Sequence, residues 1–191
     1  MHSQQKTLAF ALTATSSRRW ALTLAGAVAF TAATAAAAHV RIPLPFSPVP
    51  VTMQTMVVLL AGATLGAAGG AASQLLYLTL GALGLPMFAA APVTTGYLLG
   101  FVAAAVIVGA VARRTDRVLP VGLAMLAGST VIYLFGATWL AFLFDLSPAR
   151  ALALGVLPYL PGDALKLAAA LGTWRVGRAA WQRLVGGSDA S

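Results

Sequence analysis

Six long apolar stretches, separated by gaps that hold almost all of the charged residues, limit this chain to a membrane environment. A helix needs about 20 residues to cross the hydrocarbon core of a bilayer. Because lipid offers no hydrogen-bond partners to backbone groups, such stretches must be helical there. Each stretch therefore predicts a transmembrane helix, at residues 20–38, 51–65, 71–85, 96–112, 119–142 and 157–176.

The composition argues against other classes of protein. Charged residues make up 8% of the chain, against about 25% in a soluble domain. The net charge of +8 is spread over the gaps and forms no patch, so nucleic-acid binding is not expected. With no cysteine and two distant histidines, His2 and His39, the sequence predicts neither a metal centre nor a bound cofactor.

The apolar stretches fit a single compact domain. Only the small residues 66–70 separate the second stretch from the third, which predicts a tight hairpin. No gap is long enough to link two soluble domains. We therefore expect an all-α, polytopic integral membrane protein, a six-transmembrane-helix bundle over residues 20–178, with flanking segments 1–19 and 179–191.

The distribution of cations predicts the orientation of the bundle. Arginine and lysine accumulate on the cytoplasmic side of membrane proteins. With six spans, the opposite side holds only Arg41 and Arg150. Both termini, and hence segments 1–19 and 179–191, are expected in the cytoplasm, with the chain in the cell (inner) membrane. The nine cations on the cytoplasmic side are Lys6, Arg18, Arg19, Arg113, Arg114, Arg117, Arg175, Arg178 and Arg183.

The start of the chain has an alternative interpretation. Arg18 and Arg19 ahead of an alanine-rich run are typical of a twin-arginine export signal, with residues 36–38 as a cleavage site. Removing that signal would leave five spans and place the termini on opposite sides. We favour the uncleaved form, because polytopic membrane proteins rarely use that export route.

An acid and a base lie within the last apolar stretch. Asp163 and Lys166 are the charged residues of the run from 151 to 172. Ionisable groups inside a membrane are costly and usually mark a ligand or ion site. In a helix, residues three apart share one face, so the two side chains can neutralise each other and point at one ligand. The alternative is an ion pair that only fixes helix packing.

Polar residues from other stretches are expected near this pair. The proline-rich segment 42–50 cannot form a regular helix, and it leads into Thr52 and Gln54. Tyr97 begins the fourth stretch. Under the predicted topology these residues lie at the depth of Asp163, near the outer face, which indicates a small-molecule pocket open to the exterior.

The first stretch carries alanine at every fourth position. Ala21, Ala25, Ala29, Ala33 and Ala37 form a slowly drifting stripe along one helix face. Small residues at such spacing let helices approach closely in lipid. The stripe predicts either a contact inside the bundle or a docking surface for a partner.

Several motifs in this chain are similar to those of one family. Residues 45–55 (PFSPVPVTMQT), 95–101 (TGYLLGF) and 158–163 (PYLPGD), followed by Lys166, resemble the signatures of the BioY family in order and spacing. Members of this family are the biotin-specific S subunits of energy-coupling-factor (ECF) vitamin transporters. The similarity runs from residue 42 to 168, and it departs where Thr95 replaces the first of two glycines.

The resemblance implies a role for each pocket residue. Asp163 would accept a hydrogen bond from a ureido N–H of biotin, and Lys166 would donate to its polar atoms. Further contacts are implied for Gln54, Thr52, Tyr97 and Ser73. Trp139 and Phe88 would cover the apolar thiophane ring. Arg41 would meet either the carboxylate tail of biotin or lipid headgroups.

The resemblance also implies partners. The chain has no phosphate-binding loop of the Gly-x-x-x-x-Gly-Lys-Ser/Thr type, so active uptake would need ATPase subunits and a coupling membrane subunit. The stripe of Ala21, Ala25, Ala29 and Ala33 would dock on the coupling subunit, and the loaded subunit would topple to release biotin inward. A solitary carrier of biotin or a related vitamin is the alternative. An enzyme is not expected, because Asp163, Lys166 and Tyr97 are too few groups for a hydrolytic or transferase site.

Overall fold

The computed structural model describes the backbone of residues 2–85, 88 and 91–186, and the side chains of residues 20–85, 88 and 91–180. Helices dominate the chain, with one short β-hairpin and 3-10 turns at Pro92–Thr94 and Leu157–Tyr159. The elements are α1 (His2–His39), β1 (Arg41–Leu44), β2 (Ser47–Thr52), α2 (Gln54–Ala82), α3 (Thr95–Ala112), α4 (Val118–Phe144), α5 (Pro148–Gly155) and α6 (Leu160–Gly186).

Four of the described helical segments are long and apolar enough to cross a membrane: Trp20–His39, Gln54–Ala82, Pro92–Ala112 and Val118–Phe144. The long helix α6 has Asp163 in its first turn and Lys166 one turn later. The described part of the chain is therefore a predominantly helical integral membrane protein.

Helix α2 folds back on itself at Gly66. This residue has φ 78° and ψ 179°, a conformation that only glycine adopts readily. A straight helix would separate Gln54 from Tyr77 by about 35 Å, yet Gln54 Nε2 lies 3.0 Å from Tyr77 Oη. The predicted tight hairpin is thus present, but the non-helical backbone is confined to Gly66, and residues 67–70 are already helical.

Close helix contacts hold α3 against α2. A Cβ atom at Gly62 would lie 2.6 Å from the carbonyl oxygen of Ala105, so only glycine permits this approach. The buried apolar residues form two clusters. The cluster next to the β-hairpin includes Tyr77, Tyr97, Phe101, Ile132, Leu140 and Tyr159. The second includes Leu59, Val108, Val121, Met125, Ala170 and Trp174.

The proline-rich segment forms a β-hairpin, so the fold is not purely α-helical. Strands β1 and β2 pair antiparallel, with Arg41 opposite Thr52 and Ile42 opposite Val51. The prediction of a helix from residue 51 was wrong for its first turn, since α2 begins at Gln54. The prolines of this segment cannot supply helical N–H donors, and the extended backbone pairs with itself instead.

The ends of the chain also differ from the sequence-based boundaries. Helix α1 is continuous from His2 through His39, so residues 2–19 are helical and precede the candidate span Trp20–His39. Residues 151–155 belong to the separate helix α5, and α6 begins at Leu160. The gap between the third and fourth predicted spans includes residues 86, 87, 89 and 90, and the predicted flanking segment 179–191 includes 187–191. These residues, with residue 1, lie outside the described residues.

Candidate functional site

The acid and the base on α6 form a largely buried ion pair. Lys166 Nζ lies 2.6 Å from Asp163 Oδ1, and the two side chains are only 10% and 11% exposed. Both lie in the first two turns of α6, after the 3-10 turn that ends at Tyr159. The i,i+3 spacing of a helix thus brings the two charges together, as the sequence predicted.

Two hydroxyl groups from other helices also contact this carboxylate. Tyr133 on α4 donates a hydrogen bond of 2.7 Å to Asp163 Oδ2. Thr55 on α2 donates a longer one, of 3.4 Å, to Oδ1. The sequence analysis did not select Tyr133 or Thr55. A tyrosine in the middle of a stretch without charged residues was the signal that could have indicated the first of them.

The ion pair lies in the wall of a cleft between the β-hairpin and helices α2, α3, α4 and α6. The cleft contains about 480 Å³ of space, including its open mouth. Its lining consists of Val49, Pro50, Thr52, Gln54, Thr55, Thr94, Tyr97, Leu98, Phe101, Ile132, Tyr133, Tyr159, Asp163 and Lys166.

A second group of polar contacts fixes the beginning of α2. Gln54 Nε2 donates to Tyr77 Oη at 3.0 Å, and Gln54 Oε1 accepts from Thr52 Oγ1 at 3.1 Å. Gln54 is 7% exposed, so these bonds satisfy an amide that would be costly to bury alone. The other N–H of the Gln54 amide forms no hydrogen bond with any described residue.

Tyr97 contributes its ring to the cleft more than its hydroxyl. The hydroxyl donates to the carbonyl oxygen of Gly155 at 2.8 Å, which ties α3 to the end of α5. Phe101 is one turn further along the same helix and also lines the cleft. With Tyr133 and Tyr159, these rings give the cleft an aromatic wall, which suits an apolar ring in a ligand.

Hydrogen bonds from Tyr159 and Ser47 hold the β-hairpin against the cleft. Tyr159 Oη donates to the carbonyl oxygen of Val49 at 2.6 Å and lies 2.7 Å from Ser47 Oγ. Ser47 Oγ in turn donates to the carbonyl oxygen of Leu154 at 2.8 Å. The β-hairpin therefore forms one side of the cleft and is joined to the segment before α6.

Ser73 does not reach the cleft. It is completely buried, and its hydroxyl donates to the carbonyl oxygen of Gly70 at 2.7 Å. Its backbone carbonyl accepts a hydrogen bond of 2.8 Å from Thr31 on α1. In this structure Ser73 therefore packs where α2 meets α1 and is not part of the cleft lining.

Three further candidates also lie outside the cleft lining. Trp139 Nε1 donates to the carbonyl oxygen of Pro92 at 2.8 Å. The ring of Phe88 packs against Tyr77, with centroids 5.9 Å apart. Arg41 is exposed on β1. The expectation that Trp139 and Phe88 cover the ligand is therefore not supported by their positions.

The alanine stripe of α1 faces away from the bundle for most of its length. Ala21, Ala25, Ala29 and Ala33 are exposed, whereas Ala37 is buried. The opposite face of α1 packs on α2 through buried residues that include Thr31, Thr34 and Ala35. This segment thus presents a strip of small side chains that no described residue covers.

A helical membrane protein with a buried ion pair in the wall of an aromatic-lined cleft has the features expected of a membrane protein that handles a small molecule. Comparison with known proteins makes the class specific. The BioY family profile matches residues 5–183, and the chain belongs to the BioY family. It is accordingly a membrane transport protein and not an enzyme.

Curated relatives are identical to this chain at about a third of the aligned positions. The biotin transporter BioY of Rhizobium etli is 36% identical over 150 residues, covering 69% of this chain and 80% of the relative. The biotin transporter BioY of Thermotoga maritima is 35% identical over 150 residues, covering 74% of this chain and 86% of the relative. The similarity thus extends over most of each protein.

A solved structure has the same fold. It is described as the S component for biotin from an ECF-type ABC transporter. The TM-score is 0.77, with 23% sequence identity, and the superposition covers 85% of this chain and 93% of that one.

Proposed function

We propose that this chain is the biotin-binding S component of an ECF-type transporter, which captures biotin with high affinity outside the cell and delivers it inward. The observation that carries this proposal is the ion pair of Asp163 and Lys166, largely buried in the wall of an open cleft. Ionisable groups at such a position usually mark a ligand site. The names of the curated relatives support biotin as the ligand.

The unused hydrogen-bonding capacity of the pair matches a cyclic urea. A carboxylate has about four acceptor positions, and Asp163 uses three of them on Lys166, Tyr133 and Thr55. The remaining position suits a ureido N–H. Lys166 has three donors and uses one on Asp163, so others are available to the ureido oxygen.

The neutral part of the cleft matches the remainder of biotin. Tyr97, Phe101, Tyr133 and Tyr159 supply aromatic surface for the thiophane ring. Gln54 and Thr52 add polar groups near the β-hairpin. The ligand therefore meets charge at one wall and apolar surface at another, as small-molecule sites usually require.

We also propose a six-segment topology with both termini in the cytoplasm and the cleft facing outward. Helices α1, α3, α4 and α6 and the two halves of α2 supply the segments. The cations on the hairpin side are Arg41 and Arg150, whereas Arg113, Arg114 and Arg117 follow α3 at the other end. Because arginine and lysine accumulate on the cytoplasmic side, these positions favour an outward-facing cleft and cytoplasmic termini.

The exposed strip of Ala21, Ala25, Ala29 and Ala33 is proposed to dock on a coupling membrane subunit, which ATPase subunits would drive. Small side chains allow a partner helix to approach closely, and close packing drives helix association in lipid. The ECF description of the structural neighbour supports this assignment.

Binding of radiolabelled biotin to the purified full-length protein tests the ligand. Saturable binding that excess unlabelled biotin displaces, and that an unrelated vitamin does not, is the expected result. A protein that is folded by circular dichroism yet binds no biotin would refute the proposal. Uptake by cells with and without the coupling and ATPase subunits distinguishes an S component from a solitary carrier.

Labelling of single cysteines tests the topology. The natural chain has no cysteine, so each introduced thiol is the only one to react. Ala149→Cys on α5 should react with a membrane-impermeant maleimide in intact cells, and Arg114→Cys should react only after lysis. The reverse pattern would contradict the orientation.

A further inference from the structure

A second groove lies between α1 and α6, toward the end of the bundle away from the β-hairpin. Both helices pack on α2, and residues of α1, of the first half of α2 and of the later part of α6 line the space between them. The groove contains about 950 Å³ of space, including its open mouth. It shares no lining residue with the cleft of Asp163 and Lys166, so the two sites are separate.

The chemistry of this groove changes along its length. Phe30, Leu60 and Ala63 supply an apolar part within the candidate membrane spans of α1 and α2. Arg178 lies one helical turn beyond Trp174 in α6, and both line the groove. Tryptophan is enriched where the hydrocarbon meets the headgroups, and arginine in the adjoining aqueous zone. The groove is therefore apolar toward the bilayer interior and cationic toward the bilayer surface.

Arg178 belongs to a cluster of cations at this end of the bundle. It forms an ion pair with Asp116 in the connection between α3 and α4. Among the residues that the structure describes, the acid at this end is Asp116, and the cations are Arg113, Arg114, Arg117, Arg175 and Arg178. A guanidinium has five N–H donors, and the Arg178 side chain is 39% exposed. Asp116 thus leaves donors of Arg178 available to an anion.

We propose that this groove binds an anionic phospholipid, with an acyl chain along Phe30, Leu60 and Ala63 and the headgroup phosphate on Arg178. Basic pockets between transmembrane helices bind such headgroups, and the excess of arginine at this end complements a negative charge. The lipid contacts both α1 and α6 and so bridges two helices across the space between them. This site lies outside the ligand cleft and goes beyond the proposed function.

Native mass spectrometry of the purified full-length protein in detergent tests the headgroup contact with two lipids that have identical acyl chains. Anionic dioleoyl phosphatidylglycerol should bind about tenfold more tightly than zwitterionic dioleoyl phosphatidylcholine, as expected for one charge-assisted contact. In Arg178→Gln this preference should disappear. Arg175→Gln is the matched control and should keep the preference, because Arg175 lies on the same helix but outside the groove lining.

A second pair of variants tests the body of the groove. Gly177 lines the groove and has open space at its Cβ position. Gly177→Leu should therefore fill part of the groove and lower the affinity for both lipids about tenfold. Gly172→Leu, on the same helix with equally open space but outside the lining, should bind both lipids normally. Circular dichroism checks that each variant is folded.

Three outcomes would overturn the proposal. Equal affinity for the two lipids in the unaltered protein, or a preference that persists in Arg178→Gln, would refute the headgroup contact. Displacement of the lipid by soluble glycerol 3-phosphate would identify a site for free phosphate instead. If Gly177→Leu binds both lipids normally but no longer associates with a coupling subunit, the groove receives that subunit and not a lipid. The lipid measurements do not involve biotin, so their failure would leave the proposed function intact.

Discussion

Tyr133 on α4 donates a hydrogen bond of 2.7 Å to the Asp163 carboxylate on α6, at the oxygen that Lys166 does not contact. The carboxylate is thus held from two sides by groups on different helices. Its orientation in the cleft depends on the packing of α4 against α6 as well as on the helix that carries it.

Tyr133→Phe should weaken biotin binding by about 1 kcal/mol, or roughly five- to tenfold in Kd, because one hydrogen bond to the carboxylate is lost while the ring remains. Isothermal titration of the purified protein measures the change. Thr130→Val on the same helix is the control, since the Thr130 hydroxyl donates to the Leu126 carbonyl of its own helix. An affinity for biotin that is unchanged in Tyr133→Phe would contradict the positioning role.

Asp163→Asn should have a much larger effect than Tyr133→Phe. It removes an acceptor and leaves Lys166 charged and unpaired, and breaking a buried pair in this way costs about 3–5 kcal/mol. Because a charge-assisted hydrogen bond proposed for the ureido N–H is lost as well, biotin affinity should fall about a hundredfold.

The double variant Asp163→Asn with Lys166→Gln separates stability from binding. Removing both charges should restore thermal stability close to that of the unaltered protein, without restoring biotin binding. If the double variant binds biotin normally, the ion pair serves packing only.

Ala25→Leu combined with Ala29→Leu should leave biotin binding intact, because both residues are exposed on the face of α1 away from α2. Overpacking a close helix contact costs about 1–3 kcal/mol, so association with a coupling subunit, and hence cellular uptake, should fall about tenfold.

Ala35→Leu is the contrasting control in the same helix. Ala35 is completely buried against α2, so this change should destabilise the protein itself. Normal uptake by the Ala25→Leu, Ala29→Leu variant would show that docking uses another surface.

Gly66→Ala should destabilise the fold by about 1–3 kcal/mol, since a side chain at φ 78° and ψ 179° is strained. The new methyl group would also meet the Arg113 side chain, which donates to the Leu65 carbonyl at 2.9 Å. A lower Tm in detergent measures the loss. Gly172→Ala, in the exposed middle of α6 with open space around its Cβ position, should instead keep or slightly raise the Tm.

Much of the architecture could be predicted because it depends on local spacing. The helical hairpin within residues 54–82 follows from an apolar run that is too long for one span. Glycines interrupt this run near its middle. The proximity of Asp163 and Lys166 follows from the helical period. The non-helical character of segment 42–50 follows from its prolines. The pairing of β1 with β2 could not be predicted in the same way.

The sequence by itself determined that the chain is a helical membrane protein, that its charges lie at the ends of its helices, and that one acid and one base share a face of α6. Only the tertiary structure decided which remote side chains join them. Tyr133 reaches Asp163, and Gln54 reaches Tyr77, because of how each helix is rotated about its own axis. Ser73 turns toward α1 for the same reason. Many weak packing contacts along whole helices together determine that rotation, and no short motif encodes it.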